Sequence, residues 1–323
     1  MARKGLEPRV REVRRSMFLL RRNPLAIIGL AMMLFVVMVA ILAPLLAPPL
    51  PERLQPDPII NRMDLQSPKP PGTNYTFQYL GTDGQFRSTT ISYPFGTGES
   101  GEDIYYGVIW GARTSLTIAI VIVGIAALIG MVLGSIAGYY GGVIDEVLMR
   151  ITDVFLSIPA IILALAIVAV LTRSLENIVL AMIIAWWPAY ARLVRGQVLS
   201  IKESAYVESA RAIGAGGGRI IFRHIMPNSL SPMLVAVTMD MGTVVLAAAG
   251  LSFIGFSQPG LCEWGRMISA GSELIFSQVL YDGNLYNPYW AWVIPGAFIF
   301  IFVMGFNLLG DGLRDVLDPR MRR

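Results

Sequence analysis

The sequence predicts an all-α polytopic membrane protein with six transmembrane helices. Three observations carry this. Hydrophobic residues make up 54% of the 323 positions and charged residues only 15%, where soluble domains carry about 25% charged residues. The apolar residues gather into runs of spanning length. The 26 lysines and arginines fall unevenly on alternate connecting segments.

A hydrocarbon core of about 30 Å needs roughly 20 apolar residues in helix. Six runs qualify: 25–47, 114–138, 154–172, 176–194, 229–250 and 290–310. The third and fourth are separated only by Thr172-Arg-Ser-Leu-Glu-Asn177, enough for a tight helical hairpin. Lys and Arg number eight in 1–24, one in 139–153, six in 192–228 and four in 311–323, against five in 48–113 plus Arg173 and Arg266. By the positive-inside rule both termini and the 195–228 loop are expected on the cytoplasmic side, and segments 48–113 and 251–289 outside.

Five segments are expected. Residues 1–24 are a basic amphipathic segment, with Val10, Val13, Met17 and Leu20 near one face among arginines, suited to lie on anionic lipid. A cleaved signal peptide is not expected, because this basic region is too long and the run behind it is of full spanning length with no clear small-residue cleavage site. The first span, 25–47, leads to the extracytoplasmic loop 48–113. That loop is rich in proline, from Pro48-Pro49 to Pro70-Pro71, and is expected to lack helix and to serve as a docking surface. A five-helix core, 114–310, follows and contains the cytoplasmic loop 195–228 and the outer loop 251–289. Residues 311–323 form a cytoplasmic tail.

Several function classes are excluded. The positive charge sits beside apolar spans, so it does not point to nucleic acid. One cysteine, Cys262, and one histidine, His224, leave no internal disulfide, no cysteine-based metal cluster and no His-rich site. Gly214-Ala-Gly216-Gly217-Gly218 is not a phosphate loop, because no Lys-Ser or Lys-Thr pair exists and no strand precedes it. Gly130, Gly134 and Gly138 in the second span recur at four-residue spacing, which lets two helices approach closely in lipid. Arg192 and Arg195 end the fourth span and are expected to reach for the interface.

Two places could carry function. The first is the polar run from Glu203 to Pro227. Residues 198–213 fit a helix in which Tyr206, Ala210 and Ile213 share a semi-apolar face. Ser204, Ala205, Ser209, Ala210 and Ala212 are small enough to enter a groove on another protein. Glu208 and Arg211 are spaced to pair. Gly214 is expected to end this helix, and a second short helix runs from Arg219 to its stop at Pro227. The second place is Asp240, near the middle of the fifth span. A carboxylate at that depth is costly and faces a cavity or a polar partner.

The polar run resembles the EAA loop of ABC-importer permeases: Glu208-Ser209-Ala210, three residues, Gly214, nine residues, then His224-Ile225-Met226-Pro227. Further segments resemble the "C" permease of the dipeptide, oligopeptide and nickel branch. They are Ile109-Trp-Gly111-Ala112-Arg113-Thr-Ser-Leu116, Gly250-Leu-Ser252-Phe253-Ile-Gly255, Trp264-Gly265 and Asn307-Leu-Leu-Gly310-Asp311-Gly312 through Asp318-Pro319-Arg320. The chain departs from that pattern within Phe95–Asp103, where Phe95, Gly98 and Glu102 stand in place of the Leu, Asp and Arg of the usual L-G-T-D-x-x-G-R-D, and at Ala248, where relatives often carry glutamate.

The resemblance implies a type I ABC importer permease in a prokaryotic inner or plasma membrane, without catalysis of its own. The implied partners are a homologous "B" permease forming a heterodimer, two ATPase subunits on the cytoplasmic side, an extracytoplasmic substrate-binding protein, and membrane lipid. This chain is expected to bind no cofactor and no metal, with ATP and Mg on the ATPase partners. Glu203, Ala205, Tyr206, Glu208, Ser209, Ala210, Arg211, Gly214, His224 and Pro227 are the expected ATPase-coupling residues, and Asp240 the expected pathway residue. The implied cargo is di- or oligopeptide, with oligosaccharide or nickel chelate as alternatives. The residues alone leave open an ion-coupled secondary transporter built on Asp240.

Overall fold

The computed structural model describes residues 23–48, 68–80, 85–99, 101–257 and 261–317. The basic segment, the proline-rich run from 49 to 67, residues 81–84 and the end of the chain from Asp318 lie outside them.

Helix α1, Pro24–Leu46, opens where Asn23 accepts from the Leu25 and Ala26 N–H groups at 3.1 and 3.3 Å. That side-chain cap with proline at the first helical position is a strong start signal. The Asn23 amide also donates to Asp315 at 3.3 Å, joining the start of α1 to the end of the last helix.

The 48–113 segment differs from the expected loop. It carries an antiparallel hairpin, β1 Thr73–Leu80 and β2 Phe86–Tyr93, in register from Thr73 opposite Tyr93 to Leu80 opposite Phe86. Its last ten residues are already helix: α2 runs Ile104–Tyr140, 37 residues, or about 55 Å at 1.5 Å per residue. The extra turns form because Ile104, Val108 and Ala112 are buried. Tyr105 and Trp110 also donate to the Leu46 and Ala47 carbonyls at 3.0 and 2.9 Å, satisfying the end of α1.

The third expected span, 154–172, is not one helix. α3 spans Gly142–Leu156 and α4 Ala160–Val170, and the two meet at 82°. Pro159 lacks an N–H and disfavours helical backbone at Ile158, so the chain turns there. Helix α5, Leu175–Ile201, starts from the Ser174 cap.

Helix α6 spans Ala205–Ala212 and α7 Gly217–Ile220; a π-helical turn, Ile221–Ile225, leads into α8, Met226–Phe253. The 251–289 segment holds α9, Trp264–Ser272, and a small hairpin, β3 Val279–Tyr281 and β4 Asn284–Tyr286. Asp282 and Gly283 make its turn, both at positive φ, as a two-residue Asp-Gly turn requires. Helix α10, Trp290–Leu317, completes the bundle. Among the described residues five helices are long and apolar enough to cross a membrane, or six spans with α3–α4 taken as one bent span.

Two cores organise the helices. One joins α1, the first turns of α2, α8, α9 and α10 around Trp264, Trp290, Phe302 and Phe306. The other joins the rest of α2 to α4, α5, α6 and α8 around Ile122, Met182, Tyr190 and Leu251. The glycine series forms the α2–α5 seam. A Cβ on Gly130 would meet Tyr190 Cβ at 2.4 Å, one on Gly134 the Ala191 carbonyl at 2.4 Å, and one on Gly138 Val198 Cβ at 2.8 Å. The four-residue spacing is therefore a packing device.

Candidate functional site

The polar run folds as two short pieces set at the end of α5. Ser204 turns the chain, its hydroxyl donating to the Ile201 carbonyl, and α6 follows. Its end has the hydrogen-bond pattern of a Schellman motif: Gly214 N–H donates to Arg211 and Ala215 N–H to Ala210, both at 3.0 Å. Gly214 takes φ +83° there, a conformation that costs other residues energy.

The face of α6 differs from the expected one. Val207 and Ala210 point inward and are buried in the second core, while Tyr206 and Ile213 point outward, Ile213 at 86% exposure. Ala210 is thus an anchor to its own chain, and the small residues open to a partner are Ala205, Ser209 and Ala212. Val207 was hidden from the sequence reading because Tyr206 fits the same helical period. Glu203, Glu208 and Arg211 are exposed. Arg211 does not pair with Glu208; its guanidinium lies 5.8 Å from the centre of the Tyr139 ring. Gly217 packs on Tyr139 and Tyr140, so the end of α2 and the end of α5 together seat the segment.

Pro227 does not stop the second piece. The helix runs unbroken from Gly217 to Phe253, and Pro227 lies in the first turn of α8 directly after the π-helical turn. The wider turn accommodates a residue with no N–H and a ring that crowds the preceding carbonyls. The Asn228 amide donates to the His224 carbonyl there. His224 is half-buried, and its ring lies 6.5 Å from that of Tyr206, so the two pieces of the segment meet through these rings. Phe222, 66% exposed, adds an apolar group that the sequence reading passed over. Its signal was an aromatic residue one position before the basic pair Arg223-His224.

Asp240 lies on α8, half-buried, next to Tyr190 of α5. The Tyr190 side chain is 1% exposed, and its hydroxyl makes no hydrogen bond of ordinary geometry. Asp240 is therefore separate from the polar run and sits inside the helix bundle. No group of three or more His, Cys, Asp or Glu able to hold a metal occurs among the described residues.

The opposite end of the bundle is a tightly bonded platform. Trp264 donates to Val108 and Trp290 to Thr97, both buried and at 3.0 Å. Thr97 accepts from the Lys69 N–H at 2.8 Å. Asp103 caps α2 through the Tyr105 and Tyr106 N–H groups; burial pushes its carboxyl up to about 6, against the lowering effect of those two bonds. Burial likewise raises the Glu263 carboxyl, which caps α9. Glu99 is raised by burial and by Glu273 and Glu102 nearby. The Phe95–Asp103 stretch thus still builds a helix cap, through Asp103, and a buried turn, despite its departures.

Comparison with known proteins assigns this architecture. Residues 130–323 match the binding-protein-dependent transport system inner membrane component family, and residues 13–68 the N-terminal TM domain of oligopeptide transport permease C. The dipeptide transport system permease protein DppC of Alkalihalophilus pseudofirmus is 38% identical over 94% of this chain and 88% of its own length. The oligopeptide transport system permease protein OppC of Bacillus subtilis is 34% identical over 95% and 90%. The glutathione transport system permease protein GsiD of Pectobacterium atrosepticum is 42% identical over 70% and 72%. Among solved structures, an inward-facing MetNI methionine ABC transporter chain aligns over 65% of this chain and 96% of its own at TM-score 0.50 and 20% identity, a likeness of fold. The chain is a multi-pass permease and belongs to the binding-protein-dependent transport system inner membrane component family.

Proposed function

We propose that this chain is a permease subunit of an ATP-driven importer of di- and oligopeptides, coupled through α6 to a separate ATPase. The observation that carries the coupling is the α6 geometry. It is a short helix with an anchored inner face, an outer face of small residues flanked by Tyr206 and Ile213, and an elbow fixed at Gly214. The peptide reading is supported by relatives named for dipeptide and oligopeptide transport. Oligosaccharide and nickel chelate are the other cargoes of this reading.

In this scheme the basic ends and the α6 end face the cytoplasm, and the platform end faces outward. Two ATPase subunits, carrying ATP and Mg, take the α6 surfaces of this chain and of a homologous permease; an extracytoplasmic binding protein delivers cargo at the platform. Closure of the ATPase dimer moves α6, and ATP shifts the population between inward- and outward-facing states because it binds one of them better. Glu203, Glu208 and Arg211 meet polar groups at the groove rim, and His224 and Pro227 position the second piece. Asp240 lines the pathway and receives a cationic group of the cargo.

Mass spectrometry of the complex purified from native membranes tests this directly: a second permease and an ATPase are expected. Glu208→Lys should separate ATP hydrolysis from uptake. Asp240→Asn should lower uptake at unchanged yield of assembled protein. A chain purified alone that moves solute down an ion gradient would overturn the scheme.

A further inference from the structure

Helix α3 is joined to the bundle in an unusual way. Among its residues only Thr152 is buried, and its apolar stripe of Val143, Val147, Ile151 and Val154 is exposed. Two ion pairs attach it to α5. Arg195 grips Asp145 with two bonds, Nε to Oδ1 and Nη2 to Oδ2, each 2.6 Å. Arg192 pairs with Asp153, two turns further along α3. Phe155 meets the Trp187 ring edge-on at 5.5 Å. Arg192 and Arg195 are thus committed to partners within the chain rather than to the interface alone.

Both ends of α3 are places where backbone can turn. Gly141, just before it, and Gly142, its first residue, take φ +65° and +55°, with open space where side chains would stand. The break before Ala160 follows it. Helix α5, by contrast, is locked to α2 along the glycine seam and runs through Lys202-Glu203-Ser204 into α6.

We propose that Asp145, Arg195, Asp153 and Arg192 are positioning residues that make the hinged α3 follow α5, so that motion imposed at α6 reaches the broken α3–α4 span. This rests on the coupling role of α6 proposed above. A two-bond arginine–carboxylate grip fixes orientation as well as distance, and a second pair two turns away fixes the angle of α3. The exposed Arg192–Asp153 pair adds little to stability, and the Arg195–Asp145 pair is half-buried. Their value here is alignment, because beyond the Phe155–Trp187 contact at its end α3 buries only Thr152.

The test uses the assembled complex in liposomes, with spin labels at Val147 on α3 and Ser200 on α5. In the parent complex one narrow distance is expected, the same with and without ATP. Arg195→Ala with Arg192→Ala should broaden it and lower uptake of tritiated trialanine per ATP hydrolysed at least tenfold. The reversed pairs, Asp145→Arg with Arg195→Asp and Asp153→Arg with Arg192→Asp, should restore both. If the alanine variant fails to assemble, Arg195→Lys replaces it; it keeps the charge but loses the two-bond grip, and should give a partial loss. An unchanged distance with uptake per ATP within twofold of the parent overturns the proposal, as does a reversed pair no better than the alanine variant. A parent complex in which ATP drives no uptake of any peptide, and binding of the ATPase does not depend on α6, overturns the coupling reading along with it.

Discussion

The indole N–H of Trp264 donates to the backbone carbonyl of Val108 at 3.0 Å, fully buried between α9 and α2. The same ring fills the space that a side chain at Gly111 would take, 2.7 Å from its would-be Cβ, and packs against Phe298 and Phe302. Trp264→Ala should therefore cost about 3–5 kcal/mol, mainly from the cavity, since the Val108 carbonyl lies within α2 and keeps its helical partner. Trp264→Phe should cost less, because it fills much of the cavity and loses mainly the bond. Thermal unfolding in detergent would rank the two; equal loss in both would assign the whole effect to the hydrogen bond.

The glycine seam makes a sharper contrast. A methyl at Gly134 runs into the Ala191 backbone carbonyl at 2.4 Å, which cannot rotate away. Gly134→Ala should separate α2 from α5 and sharply reduce folded yield. Gly124 sits in the same helix with open space around it. Gly124→Ala should be neutral, or gain up to about 1 kcal/mol from helix propensity. Similar yields for the two variants would dismiss the seam.

Gly214 holds a left-handed conformation at the end of α6. Gly214→Val should strain that turn by about 1–2 kcal/mol, while Gly214→Asn, which tolerates positive φ, should cost less. Because Val207 and Ala210 keep α6 anchored, the protein should still fold. The expected loss appears in uptake per ATP, larger for Val than for Asn. The opposite ranking would mean the turn conformation is not what matters.

Asp103 gives the platform a pH dependence. Its folded carboxyl is raised from 3.8 to about 6, so the folded form holds a proton that the unfolded chain has released over that window. The group's contribution is fully present below about pH 4, falls as pH rises to about 6, and amounts to about 3 kcal/mol at most. Glu99 and Glu263 act in the same direction. Asp103→Asn keeps a good cap and should flatten the rise in melting temperature between pH 7 and pH 4.5. A slope equal to the parent's would place the titration elsewhere.

How much of this was legible in the sequence depends on whether the signal is local. The glycine spacing and the positive-φ stop at Gly214 are set by residues a few positions apart, and both appear in the structure as the sequence reads. Other features depend on distant partners. Helix α2 starts at Ile104 rather than near 114 because its first turns pack against Trp264, far along the chain. Ala210 faces inward because the core behind it, with Val198 and Ile220, is assembled from other elements. Arg192 and Arg195 pair with carboxylates of α3 that lie some forty to fifty positions earlier.

The sequence by itself determined that the chain spans a membrane, that five of the expected spans are long apolar helices, and that a polar segment with the spacing of a coupling loop stands between two of them. Composition and 3.6-residue periodicity act over one helix, and one helix is all they need to decide these things. Only the tertiary structure decided which face of α6 is free, that α3 hangs from α5 by charged side chains, and that Asp240 stands beside Tyr190. Those are relations between helices, set by which surfaces exclude each other's backbone and which polar groups are left to find partners.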